Sequence, residues 1–184
     1  GRASMVTDST DLKVVNARVV TPDGILAGGV AADDGVVVAV GADRNLPDAE
    51  RTVDAEGNFL IPGVVDPHVH IGRRDGEYRE QLAVDFETET RGAVHGGVTC
   101  LLNFVEHGDP YLPHLDFFVD VGEENSFVDF GYHFVLSHDF HLDEIEGLAE
   151  AGAPSFKMFF NMYKYTDIDI EPCDADRVLN AMEK

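Results

Sequence analysis

The chain has 184 residues, and 44% of them are hydrophobic, which is enough apolar material for a packed core. Its 35 acidic residues against 13 basic ones give a formal net charge of -22, which argues against nucleic acid or an anionic membrane surface as a partner, because both would be repelled. No run approaches the roughly 18 apolar residues of a membrane span, and no signal peptide is visible. We therefore expect a cytoplasmic protein that binds neither membrane nor nucleic acid.

The acidic residues are spread along the chain rather than gathered in a tail, and lysine is scarce. This pattern predicts a salt-adapted, halophilic protein, because high salt screens the repulsion between like charges. A cation-binding acidic protein is the alternative, but no EF-hand spacing supports it. Two cysteines, Cys100 and Cys173, lie far apart without a C-x-x-C motif. Their number and spacing favour a reduced protein and leave a disulfide open.

Residues 5–61 are predicted to form a small β module, because short apolar segments alternate there with turns. The residues before Met5, Gly1–Ser4, are expected to be a remnant of an expression vector and are left out of the fold. The turn sequence Thr21–Gly24 ends the first predicted strand. The predicted strands are Leu12–Val20, Gly35–Val40 and Asn58–Ile61.

Residues 62–184 show a different pattern, in which apolar strand-like runs alternate with helix-like stretches. This alternation predicts a parallel sheet with right-handed crossovers and four β/α units. The predicted strands are Val64–His70, Thr99–Val105, Gly131–Ser137 and Ser155–Phe160. The predicted helices are Asp85–His95, Pro113–Asn125, Leu142–Ala151 and one that begins within Asp174–Lys184.

Two histidines, His68 and His70, end the first of these strands. Side chains at positions i and i+2 of a strand point to the same face, so both imidazoles can reach one metal ion. A bare HxH is a weak signal, but an apolar strand ahead of it and the neighbouring Asp66 strengthen it. Asp66 is expected to orient the His68 region or to approach the metal.

Lys157 lies among apolar residues in the fourth predicted strand. Burial of an ammonium is costly and lowers the pKa of the lysine, which makes the neutral amine accessible. A neutral amine can react with carbon dioxide to give a carbamate, which can bridge two metal ions. The alternative is a lysine at a strand end whose amine extends to solvent. Together with the HxH motif, the carbamate is the favoured interpretation.

The ordered motifs resemble the amidohydrolase superfamily, and most of all its dihydropyrimidinase/hydantoinase group of cyclic amidohydrolases. The resemblance runs from about Leu12 to the end of the chain. Its motifs follow the small β module and are Pro62–His70, Gly96–Thr99 and Ser155–Phe159. The resemblance implies an α/β fold, the first half of a (β/α)8 TIM-type barrel preceded by a small β-sandwich module, with the active site at the carboxyl ends of the strands.

The resemblance also implies a site with two divalent metal ions, usually zinc. His68 and His70 would bind the more buried ion, and a CO2-derived carbamate on Lys157 would bridge the pair. The implied reaction is the hydrolytic opening of a cyclic amide or imide, such as a hydantoin- or dihydropyrimidine-like ring, by a metal-bridged hydroxide. The family pattern also implies a homo-oligomer, a tetramer in the family.

A complete barrel takes about 250 residues, so we expect this chain to be an incomplete N-terminal portion that is inactive alone. Two further histidine ligands and the catalytic aspartate of the family are expected beyond residue 184. Dihydropyrimidinases place a tyrosine five residues after the bridging lysine to bind the substrate carbonyl. Here Met162 holds that position, and Tyr163 is the candidate that follows it.

Two alternatives remain open. Dihydroorotases and many allantoinases carry an arginine two residues after the second histidine, where this chain has Gly72. A non-catalytic scaffold homologue of the same fold is the other alternative, although the retained motif residues count against it.

Among the remaining polar residues, His138 is a candidate to support a metal ligand from beyond the third strand, and Asn103 is predicted to face the barrel interior. His141 is predicted to be a surface or capping residue.

Overall fold

The computed structural model describes residues 9–72, 78–106, 108–159 and 175–183. The chain divides into two units, of which the first ends at Pro62 and the second begins at Gly63. No helix within the described ranges is both long enough and apolar enough to cross a membrane. Cys100 is a free cysteine, and Cys173 lies outside the described residues.

The first unit is one mixed sheet of five strands. Its strands run in the order β3-β2-β1-β4, and β5 also pairs with β1. The β1–β2 and β2–β3 pairs are antiparallel, whereas β4 and β5 pair with β1 in parallel. The strand bounds are Ser9–Thr21 (β1), Gly24–Asp33 (β2), Val36–Gly41 (β3), Asp48–Asp54 (β4) and Phe59–Leu60 (β5).

Strands β2 and β4 were not predicted from the sequence. Strand β2 is rich in glycine and alanine, and β4 is mostly charged and exposed, so neither has a typical strand composition. The β2 glycines have a packing reason, because a Cβ at Gly29 would collide with the carbonyl oxygen of Val14 on β1. The composition of these two segments therefore does not predict strands, although both pair with β1 in the sheet.

The second unit is a parallel sheet of four strands in the order β6-β7-β8-β9, with helices between and after them. The predicted alternation of strands and helices is confirmed. The strand bounds are Val64–Val69 (β6), Val98–Val105 (β7), Asp129–Val135 (β8) and Ser155–Lys157 (β9). The helix bounds are Tyr78–His95 (α1), Leu115–Asn125 (α2), Ile145–Glu150 (α3) and Ala175–Met182 (α4). Helix α1 thus begins seven residues before its predicted start at Asp85.

The main core of this unit lies between the sheet and its helices. Apolar side chains from α1, α2 and the strands form one buried cluster. Its largest members include Leu82, Phe86, Leu101, Val105, Phe118 and Phe134. Side chains alternate between the two faces of a strand, so a second set of side chains lies on the opposite face of the sheet and is available to form a binding or catalytic site.

The burial pattern along β7 distinguishes the face of the sheet that packs on the helices from the face toward the barrel interior. Leu101, Asn103 and Val105 are buried and alternate with partly buried residues such as Phe104. Asn103 therefore shares the helix-packed face, where its side-chain oxygen accepts a hydrogen bond from the Ile71 N–H at 2.7 Å. The prediction that Asn103 faces the barrel interior is wrong, and Phe104 takes that place.

Two helical glycines give opposite expectations for the same substitution. A Cβ at Gly122 of α2 would collide with the Phe130 ring, so Gly122→Ala is expected to destabilise the protein by about 1–3 kcal/mol. A Cβ at Gly92 of α1 meets nothing within 4 Å, so Gly92→Ala is expected to stabilise it by about 0.5–1 kcal/mol. Urea unfolding of both variants checks the pair, and equal effects would contradict the packing of α2 on β8.

Candidate metal and active site

The imidazoles of His68 and His70 converge at the carboxyl end of β6. Their Nε2 atoms are 3.3 Å apart, and both side chains are exposed in the part of the chain that the structure describes. The Asp66 carboxylate accepts a hydrogen bond from the His68 N–H at 3.1 Å, which fixes the backbone just before the pair. The strand geometry thus brings the two histidines together, as their spacing predicts.

The distance between the two nitrogens fits a shared metal ion. Two nitrogen ligands at about 2.0–2.1 Å from a tetrahedral zinc ion stand about 3.3 Å from each other, which matches the observed separation. Within the described ranges, no group of three or more histidine, cysteine, aspartate or glutamate side chains is placed to hold a metal. The pair therefore supplies two donors, and a metal ion bound there would need further ligands, from Lys157 or from other residues.

Phe104 lies at the centre of the inner face of the sheet. Its ring centroid is 4.5 Å from that of His68 and 5.3 Å from that of His70, which stacks on it. The Nζ atom of Lys157 lies over the same ring at 4.4 Å. The two predicted histidine ligands and the predicted bridging lysine, which come from strands at opposite edges of the sheet, therefore contact one phenyl ring.

Lys157 is the last residue of β9 and is half-buried. Its amine lies between two phenyl rings, since Nζ is also 4.6 Å from the centroid of Phe159. Its backbone is fixed by a hydrogen bond of 2.8 Å from the Leu136 N–H to the Lys157 carbonyl oxygen. The amine is thus directed over the inner face of the sheet, toward the histidine pair.

His133 on β8 is a candidate site residue that the sequence pattern does not predict. It is paired in register with Phe104 on one side and with Ser155 on the other, and its ring centroid is 4.7 Å from that of Phe104. Its Nδ1 atom is hydrogen-bonded to the Ser155 hydroxyl. His133 lay inside a predicted strand, but only the register of neighbouring strands shows that it shares a row with Phe104 and Ser155.

His138 lies beyond β8 and is half-buried. Its Nδ1 atom is 3.0 Å from the Ser137 hydroxyl, and its ring stacks on Phe140. His141 is fully buried, and its Nδ1 accepts hydrogen bonds from the backbone N–H groups of Ser137 and His138. His141 is therefore a capping residue but not a surface one. A role for His138 in supporting a metal ligand, without binding the metal itself, stays a prediction.

The predicted substrate-binding residue Tyr163 lies outside the described residues, as does Met162. The geometry of the site therefore consists of the histidine pair, Lys157 and the residues around Phe104.

Comparison with known proteins gives a consistent group of relatives. The chain is 31% identical over 153 residues to a D-hydantoinase from Ralstonia pickettii and 31% identical over 161 residues to a dihydroorotase from Methanothermobacter thermautotrophicus. It is 32% identical over 177 residues to an allantoinase from Deinococcus radiodurans, a match that covers 93% of this chain. The chain spans about a third of the length of these curated relatives, from 33% to 37%. No family model matches.

Solved structures agree with these relatives. An L-hydantoinase (dihydropyrimidinase) from Arthrobacter aurescens is 28% identical, with a TM-score of 0.74 over 94% of this chain and 37% of that one. A dihydropyrimidinase from Brevibacillus agri NCHU1002 is 29% identical, with a TM-score of 0.72 over 93% of this chain and 37% of that one. The parallel sheet β6–β9 is thus half of an α/β barrel, which confirms the predicted fold class. The chain belongs to the hydantoinase-like family of amidohydrolases.

Proposed function

We propose that the protein is a metal-dependent hydrolase that opens cyclic amides or imides, with a hydantoin- or dihydropyrimidine-like ring as its small-molecule substrate. The observation that carries this proposal is the convergence of His68 and His70, whose Nε2 atoms are 3.3 Å apart, beside the ring that Lys157 also contacts. Residues 5–61 would be part of a small β module, and residues 62–184 would form the first four β/α units of the barrel.

In this proposal His68 and His70 would hold one divalent ion, zinc by the preference of imidazole ligands, and a carbamate on Lys157 would supply oxygen ligands to it and to a second ion. Two bound ions would polarise the ring carbonyl and lower the pKa of a coordinated water. Asp66 fixes the His68 backbone through the hydrogen bond described above. The catalytic aspartate has no assigned residue in this chain. Tyr163 is proposed to bind the substrate, and His138 is proposed to support a metal ligand without binding the metal itself.

Lys157 can bridge two cations only after it becomes an anion. The lone pair of its neutral amine attacks the carbon of CO2, an N–C bond forms, one C=O electron pair moves to oxygen, and the nitrogen gives a proton to water. The resulting carbamate is an anion beside the rings of Phe104 and Phe159. Such a charge is costly among apolar groups, so cations bound next to it are required for its stability.

The remaining properties follow from composition and family. We propose a homo-oligomer, a tetramer by the family pattern, that works in the cytoplasm. The net charge of -22 supports adaptation to high salt. The dihydroorotase and allantoinase relatives keep those two reactions as alternative functions. A non-catalytic scaffold is disfavoured, because the His68–His70 pair retains ligand geometry.

The test uses the full gene product, purified at high salt with zinc or manganese and bicarbonate. We expect close to two metal ions per chain by plasma mass spectrometry and hydrolysis of hydantoin or dihydrouracil above that of dihydroorotate and allantoin. Preference for dihydroorotate or allantoin would support the alternative reaction instead. A protein that binds no divalent metal at near-stoichiometric amounts would overturn the proposal.

A further inference from the structure

His133 has one nitrogen with a partner and one without. Its side chain is buried, with 7% of its surface exposed, and Nδ1 is hydrogen-bonded to the Ser155 hydroxyl. Among the residues that the structure describes, Nε2 has no hydrogen-bond partner. Buried polar atoms in folded proteins are almost always hydrogen-bonded, so Nε2 marks a place where a polar group is expected to bind.

The position of His133 indicates which group that is. Lys157 lies on β9, yet its amine reaches the ring of Phe104 on β7. The strand between them is β8, which carries His133 in the row of Phe104 and Ser155. The lysine side chain therefore crosses the inner face of the strand that carries His133, and both groups contact the same phenyl ring.

We propose that His133 is a positioning residue for Lys157: the Ser155 hydroxyl orients the imidazole, and Nε2–H donates a hydrogen bond to an oxygen of the Lys157 carbamate. This inference rests on the proposed function, because it requires the carbamate. When the Ser155 hydroxyl donates to Nδ1, the single proton of the neutral imidazole is on Nε2. The bond then satisfies the unpaired nitrogen and one anionic oxygen together, and it holds the carbamate in a fixed direction, as outer hydrogen bonds do for metal ligands.

Two substitutions separate the roles of the two nitrogens. Glutamine places an amide nitrogen near the position of Nε2, whereas asparagine places its polar atoms near that of Nδ1. His133→Asn is therefore expected to keep the bond to Ser155 and to lose the carbamate contact. The expected loss of metal affinity is about 10–100-fold, as for other groups that hydrogen-bond to metal ligands. His133→Gln is expected to stay within about threefold of the wild type.

The experiment uses the full gene product charged with ¹³C-bicarbonate and zinc. The carbamate per chain is measured by ¹³C NMR, and metal affinity is measured by competition with a chelator, so neither readout depends on turnover. We expect a full carbamate signal in the wild type and in His133→Gln and a several-fold lower signal in His133→Asn. Ser155→Ala, which keeps the imidazole but not its orientation, is expected to fall between them.

The outcomes distinguish this inference from the function on which it rests. A wild type without any carbamate signal would overturn the proposed function and this inference with it. If the wild type gives the signal and His133→Asn gives the same carbamate signal and metal affinity, the role of His133 alone is overturned. The same conclusion follows if His133→Asn keeps the carbamate signal and His133→Gln loses it. If circular dichroism shows that both His133 variants are unfolded, Ser155→Ala decides, and an unchanged signal there would contradict the inference.

Discussion

Lys157→Ala is expected to reduce kcat/KM for the proposed cyclic amide substrate by on the order of a thousandfold or more. Bridging two cations is worth several kcal/mol in the transition state, and each factor of ten in rate corresponds to about 1.4 kcal/mol. The variant removes the amine of β9 that lies over the Phe104 ring, which His68 and His70 also contact. Steady-state kinetics and metal content of the full gene product measure both losses.

A carboxylate supplied in solution is expected to restore part of this activity. Lys157→Ala leaves a space beside Phe104 and Phe159, and acetate or propionate carries the same two oxygens as the carbamate. Rescue that saturates with the concentration of the acid would show that the oxygens, and not the amine, perform the role of Lys157. Lys157→Arg keeps a long basic side chain but cannot be carboxylated in this way, so it is expected to be as inactive as the alanine variant.

The chain offers a control for the loss of a lysine charge. Lys13 of β1 forms a surface ion pair with Asp48 at 3.5 Å, and surface pairs contribute about 0–1 kcal/mol. Lys13→Ala is therefore expected to leave kcat/KM unchanged. An active Lys157→Arg, or a Lys157→Ala that keeps its full metal content and rate, would contradict the bridging role.

The features that the sequence predicts well are those with a local physical cause. A strand places residues two apart on one face, and this alone brings His68 and His70 together. The apolar strands of the second unit are found because each is a short Val- or Phe-rich run bounded by turns. The likeness of the ordered motifs to one family is likewise confirmed by the relatives.

The features that the sequence does not predict depend on register and on pairing between distant segments. The orientation of Asn103 requires knowledge of which face of β7 packs on the helices. His133 becomes a site residue only when β7, β8 and β9 are aligned, since Phe104 and Ser155 are its partners across the sheet. Strand β2 requires glycines for close approach to β1, and composition alone disfavours a strand there.

Glu144→Ala is expected to destabilise the protein by about 2–4 kcal/mol, since each buried donor left without a partner costs about 1–3 kcal/mol. The carboxylate of Glu144 is buried, and it accepts hydrogen bonds from the N–H groups of Tyr111 and Leu112 at 2.9 Å and 2.8 Å. Glu144 ends the 3-10 segment Asp139–Glu144 after β8, so these bonds connect the segments that follow two neighbouring strands. Urea or thermal unfolding of the full gene product measures the change.

Two variants control for the loss of charge and of side-chain volume. Glu144→Gln keeps one oxygen acceptor, so it is expected to cost about half as much as the alanine variant. Glu146→Ala removes an exposed carboxylate two residues away on α3, and such surface changes stay within about 0.5 kcal/mol. An equal effect of Glu144→Ala and Glu146→Ala would show that the buried hydrogen bonds do not stabilise this edge of the sheet.

Glu144→Ala is also expected to weaken metal binding, although Glu144 contacts none of the proposed ligands in the described part of the chain. Glu144 holds the backbone of Tyr111, whose hydroxyl donates a 2.7 Å hydrogen bond to the Val135 carbonyl oxygen. Val135 is paired in register with Lys157. Because Lys157 depends on the end of β8 for its position, loss of Glu144 is expected to displace this proposed bridging residue and so to weaken the proposed metal site. A Glu144→Ala protein with reduced stability but unchanged zinc affinity would separate the two effects and limit Glu144 to folding.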